Sequence, residues 1–266
     1  MKKLTKISKR QTTLLRKITR KRFRYEYQLF IAEGRRTVKQ IIENGQLSID
    51  SIYFDESTSL WENAHWRKIL DSYATYRVPK DEYLEICDTE NPQGVFTVCN
   101  IPAPVSISEL GKKKGLIIVM DRIQDPGNLG TMIRTGVWFG VTGMILGKGS
   151  VDLFHPKVVR STAGATGALP FAISSAADAL EQLENSGWHI SLLDGKPGAE
   201  DLTTIIPAEK NVLVVGNEAG GIDEKLFKES RKRVAILGDH KQQNVESLNA
   251  AMALGIAIYA FHRKSI

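Results

Sequence analysis

GLIIVMDRIQDPGNLGTMIRTG, residues 115–136, passes from an unbroken apolar run, through a polar corner carrying glycine, into helix-forming residues. A run apolar on both faces is the mark of a strand covered on both faces, as in a parallel sheet flanked by helices. In such sheets ligand sites form beyond the carboxyl ends of the strands. The stretch therefore predicts an α/β fold and also the corner where its site lies. Pro126 restricts the chain before the helix, Asn128 suits its N-cap, and Arg134 follows Gly130 by one turn on the same face. Gly130 leaves open space beneath the guanidinium, and a helix N-terminus favours anions, so a ribose-phosphate fits. Taken alone, a surface arginine and a plain cap fit the stretch as well.

Further strands are expected at GMILG (143–147), HISLLD (189–194), NVLVVG (211–216) and RVAILG (233–238), with helical segments between them. Two more loops of interest follow. VVGNEAGGIDEKLF (214–227) has Gly216 at a strand exit and Glu218 beside flexible glycines that let a ligand approach the backbone. A turn with Asp223 as a helix cap is the plainer alternative there. SLNAAMALGIAIYAF (247–261) is apolar nearly all round, which predicts a buried helix too short to span a membrane. Ser247 and Asn249 form a polar tip on it, which needs hydrogen-bond partners if buried. None of these loops matches GxGxxG, and GMILGKGS (143–150) has the wrong spacing for a P-loop, which argues against NAD and NTP enzymes.

The N-terminal third is a smaller α/β series. FIAEGRRTVKQIIENG (30–45) predicts a strand and then a helix closed by Asn44-Gly45. SIYFD (51–55) and GVFTVCN (94–100) predict strands; WENAHWRKILDSYA (61–74) predicts a helix, and EYLEICD (82–88) the start of another. IPAPVSISELGKKKG (101–115) has the prolines and lysines of a linker holding at most one short turn. It separates two expected domains, 1–105 and 106–266.

The 266 residues carry a net charge of +6, unevenly placed. Residues 1–24 hold Lys2, Lys3, Lys6, Lys9, Arg10, Arg16, Lys17, Arg20, Lys21, Arg22 and Arg24 and no acid, which leaves the rest net acidic. A basic arm on an acidic body suggests contact with a polyanion; a solvated tail is the alternative. Leu4, Ile7, Leu14, Leu15 and Ile18 come close to helical spacing, so the arm is expected to be a basic helix. The two cysteines, Cys87 and Cys99, form no CxxC and are expected to be buried reduced thiols. The five scattered histidines give no metal-ligand spacing, and no metal is expected. With no membrane-length apolar run and no signal-peptide h-region, a cytoplasmic location is expected.

Together, DRIQDPGNLGTMIRTG (121–136), VVGNEAGGID (214–223) and ESLNAAMALGIAIY (246–259) resemble the three ordered motifs of the SpoU, or TrmH-like, branch of the SPOUT superfamily of RNA 2′-O-ribose methyltransferases. RSTAGATGALP (160–170) is similar to the family's segment between the first two motifs, and FIAEGRRTV with NPQGVFTV (91–98) to its substrate-binding domain. The resemblance implies a small N-terminal α/β substrate-binding domain and a C-terminal parallel-sheet domain with a deep trefoil knot. It also implies a homodimer, S-adenosylmethionine as cofactor, and structured rRNA or tRNA as substrate. Asn128, Arg134, Glu218, Ser247 and Asn249 match the catalytic and substrate-positioning residues, and Gly216, Ile236 and Leu248 the cofactor contacts. The chain departs from the family in a longer loop, GDHKQQNV, before the third motif, and in SLNAAMA where SLNVSVA is common. The longer loop leaves a second expectation, a non-catalytic RNA-binding or assembly factor that keeps the fold.

Overall fold

The computed structural model describes residues 4–238 and 247–265, apart from the side chains of His65, Leu70 and Ser265. In chain order the elements are β1 (Thr5–Lys6), α1 (Lys9–Ile18), α2 (Lys21–Tyr27), β2 (Leu29–Glu33), α3 (Arg35–Asn44), β3 (Ile49–Asp55), α4 (Ala64–Ser72), β4 (Thr75–Val78), α5 (Lys80–Ile86), β5 (Val95–Asn100) and α6 (Ile107–Gly111). They continue as β6 (Gly115–Met120), α7 (Pro126–Trp138), β7 (Gly143–Gly147), α8 (Pro156–Ser161), β8 (Phe171–Ser174), α9 (Ala176–Glu184), β9 (His189–Leu193), β10 (Glu200–Asp201), β11 (Lys210–Val215), β12 (Lys232–Ala235) and α10 (Ala250–Ser265). The chain divides into two compact units, residues 1–103 with 152–168, and residues 104–151 with 169–266. The segment 152–168, which the linker position alone would leave with 106–266, packs with the first unit.

The first unit is a five-stranded mixed sheet in the order β1-β4-β3-β5-β2. Its core has one cluster around Tyr53, Tyr83, Phe96 and Val98 and another around Phe54, Trp66, Ile52 and Val95. The basic arm, expected as one helix, is from residue 4 onward a short strand, β1, followed by two helices, α1 and α2. Ser8 caps α1 in a reciprocal box with Gln11, and Leu15 and Ile18 enter the Tyr53 cluster. Arg24 is not a free cation: the residue is 2% exposed and its guanidinium meets Asp152 at 2.6 Å, while the Tyr25 hydroxyl donates to the same carboxylate at 2.6 Å. Burial first, and then that carboxylate, push the Tyr25 pKa up. Gly45 ends α3 in the left-handed conformation, as the Asn44-Gly45 pair predicts. EYLEICD ends a helix rather than starting one. Pro79 precedes α5, which runs from Lys80 and stops at Ile86, with Asp81 and Glu82 in its favoured acidic first turn. Both cysteines are free; Cys99 is buried and Cys87 partly so.

The second unit is a seven-stranded sheet, β10-β12-β9-β11-β6-β7-β8, parallel throughout. β6 and β11 pair over six residues, Lys210 opposite Gly115 through Val215 opposite Met120. The strand interiors, Ile117, Val119, Ile145, Leu192, Val212 and Val214, join Leu180 and Leu183 of α9 in one buried cluster. At roughly 25 cal/mol per Å² of apolar surface removed from water, these side chains dominate the unit's stability. Because every strand runs the same way, the carboxyl ends of β6, β9, β11 and β12 share one edge. No helix among the described residues is long and apolar enough to cross a membrane.

The helix expected at 247–261 begins at Ala250, and it is not buried all round. Leu254, Ala257, Ile258 and Phe261 are covered, but Met252, Ile256 and Tyr259 are 59%, 39% and 53% exposed. Ser247 and Asn249 likewise reach solvent, so the polar tip is exposed rather than buried. An apolar composition marks every face of a helix alike, whereas a single chain covers only the faces its own elements reach.

Candidate active site

The corner after β6 is built by Asp125. Its side chain accepts from the Asn128 N–H at 2.7 Å and Pro126 occupies the first helical position, so Asp125, not Asn128, is the N-cap of α7. Proline suits that first position because its missing N–H is one the helix leaves unpaired anyway, and the cap then falls on the residue before it. Asn128 stands in the first turn with its amide free to reach outward. Its Nδ2 donates to Glu218 Oε1 at 2.6 Å, and its Oδ1 accepts from Asn249 Nδ2 at 3.0 Å. The amide orientations follow from the network. Asn249 Oδ1 already accepts from the N–H groups of Ala251 and Met252 at the start of α10, which leaves its Nδ2 for Asn128. Asn128 must then offer its oxygen to Asn249 and its nitrogen to the carboxylate. One amide therefore joins residues 90 and 121 positions away in the chain.

Arg134 lies on α7, exposed, with no hydrogen bond or ion pair to any described residue. Ser247 is exposed two residues before Asn249. The structure thus ties Asn128, Glu218 and Asn249 together by hydrogen bonds and leaves Arg134 and Ser247 outside that chain of bonds. Gly216 follows β11 directly and is buried. A Cβ there would lie 2.2 Å from Gly221 C and Ile222 N, so the turn itself requires glycine at this position. Ile236 follows β12, partly covered, and Leu248 is exposed beside Asn249. The lengthened loop before the third motif, from its second residue Asp239 onward, and Glu246 fall in 239–246, outside the described residues.

Two residues that were not among the expected site residues tie the corners together. Asp121, 4% exposed, accepts from Arg122 Nε at 3.2 Å and from the Asp223 N–H at 3.0 Å. Asn217 Nδ2 donates to the Arg122 carbonyl at 2.9 Å, while its Oδ1 accepts from the N–H groups of Ala219 and Gly220. The hydrogen bond to Asp121 raises the Arg122 pKa. Their signal in the sequence is position: each is a polar residue within two places of an apolar strand's end, where a buried polar group needs partners.

The fold and site define a class: an α/β protein whose parallel sheet carries an amide–carboxylate chain beyond its carboxyl edge, with an exposed arginine further along α7 that no described residue engages. Comparison with known proteins makes the class specific. Residues 115–259 match the SpoU rRNA Methylase family and residues 4–97 the MRM3-like substrate binding domain. The chain belongs to the SpoU rRNA Methylase family. It is 28% identical over 249 residues to the 23S rRNA (guanosine(2553)-2′-O)-methyltransferase RlmP of Bacillus subtilis (strain 168), covering 92% of each chain. It is 30% identical to an uncharacterized tRNA/rRNA methyltransferase of Synechocystis sp. over 78% of this chain and 75% of that one. Its fold is similar, with a TM-score of 0.83 and 26% identity over 100% of this chain and 98% of the other, to the crystal structure of an AdoMet-bound rRNA methyltransferase from Sinorhizobium meliloti.

Proposed function

We propose that the protein is an S-adenosylmethionine-dependent RNA 2′-O-ribose methyltransferase acting on structured rRNA or tRNA. The observation that carries this is the Glu218–Asn128–Asn249 chain, which gathers residues of three separate sequence motifs beyond the carboxyl edge of one parallel sheet. Family membership and the names of the relatives support it. Residues 1–105, with which 152–168 packs, serve as the RNA-binding domain, and the rest of 106–266 as the catalytic domain with its trefoil knot.

The residues expected to meet the cofactor suit it. Ile236 and Leu248, with Leu237 next to Ile236, present apolar surface that the described residues leave partly or largely uncovered, as an adenosyl group requires. Around Gly238 no described atom lies within 4 Å of where a Cβ would stand, which leaves room for close approach to the backbone. Gly216, Ile236 and Leu248 would hold the group. When bound, it supplies a methyl on a cationic sulfur, an electrophile with a neutral leaving group.

The protein's own side chains bind and align the acceptor. No described residue engages the Arg134 guanidinium; it orients the ribose and stabilises negative charge developing on the 2′ oxygen. Arginine keeps its proton in proteins, so the 2′ hydroxyl proton passes to an RNA phosphate or to water. Asn128, fixed at both ends of its amide, holds the Glu218 carboxylate, and together they frame the sugar. Ser247 and Asn249 shape the pocket wall on the α10 side. Alignment of this kind supplies about 7–11 kcal/mol of a barrier when geometry is near the reacting one.

The basic surface of α1 and α2 meets RNA phosphates, and the apolar stripe of α10 covers the same stripe on a second copy in a homodimer. The location is cytoplasmic. The test is transfer of a labelled methyl from S-adenosylmethionine to unmodified rRNA and tRNA by the purified protein. Transfer is expected, with Arg134→Ala abolishing it while the melting temperature stays unchanged. Absence of both transfer and cofactor binding heat would leave a non-catalytic RNA-binding protein.

A further inference from the structure

The Glu218 carboxylate stands on a turn whose shape is set elsewhere. Asn217 and Gly221 exchange backbone hydrogen bonds, at 3.1 Å and 2.8 Å, closing the turn at its neck. Inside it, Asn217 Oδ1 receives the N–H of Ala219 at 2.8 Å and that of Gly220 at 3.2 Å. The same amide's Nδ2 reaches out of the turn to the Arg122 carbonyl at 2.9 Å. One side chain therefore holds the turn's form and its place against the loop that leads into α7.

The opposing loop is specially shaped to receive that bond. Arg122 adopts a φ of 56°, a left-handed conformation that costs a non-glycine residue energy. Its guanidinium is engaged by Asp121, which also takes the Asp223 N–H at the far side of the turn. The Asp121 N–H in turn donates to the Val215 carbonyl at 2.8 Å. The two loops are thus fastened at Val215, Asn217 and Asp223, and Glu218 lies between the last two fastenings. Its own described side-chain bond is to Asn128, at 2.6 Å.

We propose that Asn217 is a positioning residue for methyl transfer: by tying the 217–221 turn to the Arg122 carbonyl it delivers the Glu218 carboxylate to Asn128. The inference rests on the methyltransferase reading for its kinetic consequence but not for its geometric one. Without the Nδ2 bond the turn keeps its internal bonds and the fastenings at Val215 and Asp223, but loses the one nearest Glu218. Glu218 then samples positions beyond hydrogen-bond reach of Asn128, and the framing of the ribose loosens. A displacement of about 1 Å at such a site costs on the order of 100-fold in rate.

Asn217→Asp is the informative substitution. It keeps an oxygen for Ala219 and Gly220 but sets a second oxygen against the Arg122 carbonyl, so the anchor is lost and the turn remains. Asn217→Ala removes both functions; should it fail to fold, N217D carries the test. In the full-length protein N217D is expected to lower kcat roughly 10- to 100-fold with the RNA KM nearly unchanged. The double variant N217D/E218A should be no slower than E218A alone, because Asn217 acts through Glu218. Independently of activity, the Asn128 side-chain amide resonance, shifted by its carboxylate partner, should move in N217D to the position it takes in E218A. Losses that add in the double variant, or an unmoved Asn128 resonance, overturn the inference. A wild-type protein that transfers no methyl, with the resonance moving as expected, removes the methyltransferase reading and leaves the geometric tie standing.

Discussion

Asn128 Oδ1 accepts from Asn249 Nδ2 at 3.0 Å while Asn128 Nδ2 donates to Glu218 at 2.6 Å, so the two ends of one amide are committed in opposite senses. No side chain lacking an amide reproduces both so simply. Asn128→Asp keeps the acceptor toward Asn249 but places an anion against the Glu218 carboxylate, where like charges repel. Its kcat for methyl transfer should fall about 100-fold. Glu218→Gln still offers an oxygen to Asn128 and should keep more activity than N128D. Equal losses in the two variants would show that charge at position 218, rather than the amide's polarity, governs the rate.

Arg24 and Asp152 change what the basic arm can be asked to do. Residues 1–24 contain buried Ile7, Leu15 and Ile18 as well as one partner of this buried pair, so removing them would unmake the first unit rather than strip a tail. Breaking one partner of a buried ion pair costs about 3–5 kcal/mol, and Asp152→Ala should lower the unfolding free energy by that order in chemical denaturation. Among the described residues of α1, α2 and the turn between them, Lys9, Arg10, Arg20, Lys21 and Arg22 are exposed and open to phosphates, Arg22 with a loose pairing to Glu26 at 4.0 Å, whereas exposed Arg16 is held by Glu85. Changing these five to glutamine should reduce the steepness with which RNA affinity falls with salt, by up to about one unit of slope for each phosphate no longer neutralised. An unchanged slope would remove RNA from the duties of α1 and α2.

Much of the fold is legible in the sequence alone. The parallel sheet can be read at β6, β7, β9 and β11 because strands covered on both faces are written as largely apolar runs, whereas β12, expected over 233–238, runs from Lys232 and ends at Ala235. β8 and β10 sit at the edges of the sheet, and the strands that the sequence does not announce are short: β1 and β10 have two residues each, β4 and β8 four each. Too few positions remain there to establish a period. The residues of the polar chain can be picked out singly, but their bonding cannot. Asn128 reads as a cap because asparagine usually is one, and only the observed Asp125 bond frees its amide for Glu218. Asp121 and Asn217 act through backbone groups of other loops, the Asp223 N–H and the Arg122 carbonyl, which carry no residue-type signal.

The exposed stripe of α10 makes a prediction of its own. Met252, Ile256 and Tyr259 recur at helical spacing on one face, with Tyr259 packed edge-on to Phe139 of the α7 terminus at 5.9 Å between ring centroids. A contiguous apolar face of this kind on a folded chain marks an interaction surface. The protein should behave as a dimer in light scattering, and Met252→Glu with Ile256→Lys should give a folded monomer, since both side chains already reach solvent. A variant pair that stays dimeric would place the interface on another face.

Glu184 and Arg231 give a pH dependence whose sign can be worked out. The Arg231 side chain is 1% exposed and its guanidinium is held by both carboxylate oxygens, Nε to Oε1 at 2.8 Å and Nη2 to Oε2 at 2.7 Å, with Nη1 donating to the Leu226 carbonyl. Hydrogen bonding to Arg231 is the main cause holding the Glu184 pKa below the ordinary glutamate value. A carboxyl whose pKa is lower in the folded than in the unfolded chain is the stronger acid when folded. Its contribution is therefore complete above the unfolded value and disappears as pH falls through the folded one. Glu184→Gln should cost about 3 kcal/mol at neutral pH, because it leaves a buried guanidinium without its counter-charge. That cost should shrink in acid, where the wild-type carboxyl is itself protonated. Denaturation curves for both proteins at neutral pH and again below the folded Glu184 pKa should converge; curves that stay equally far apart would mean that Glu184 contributes through packing, not charge.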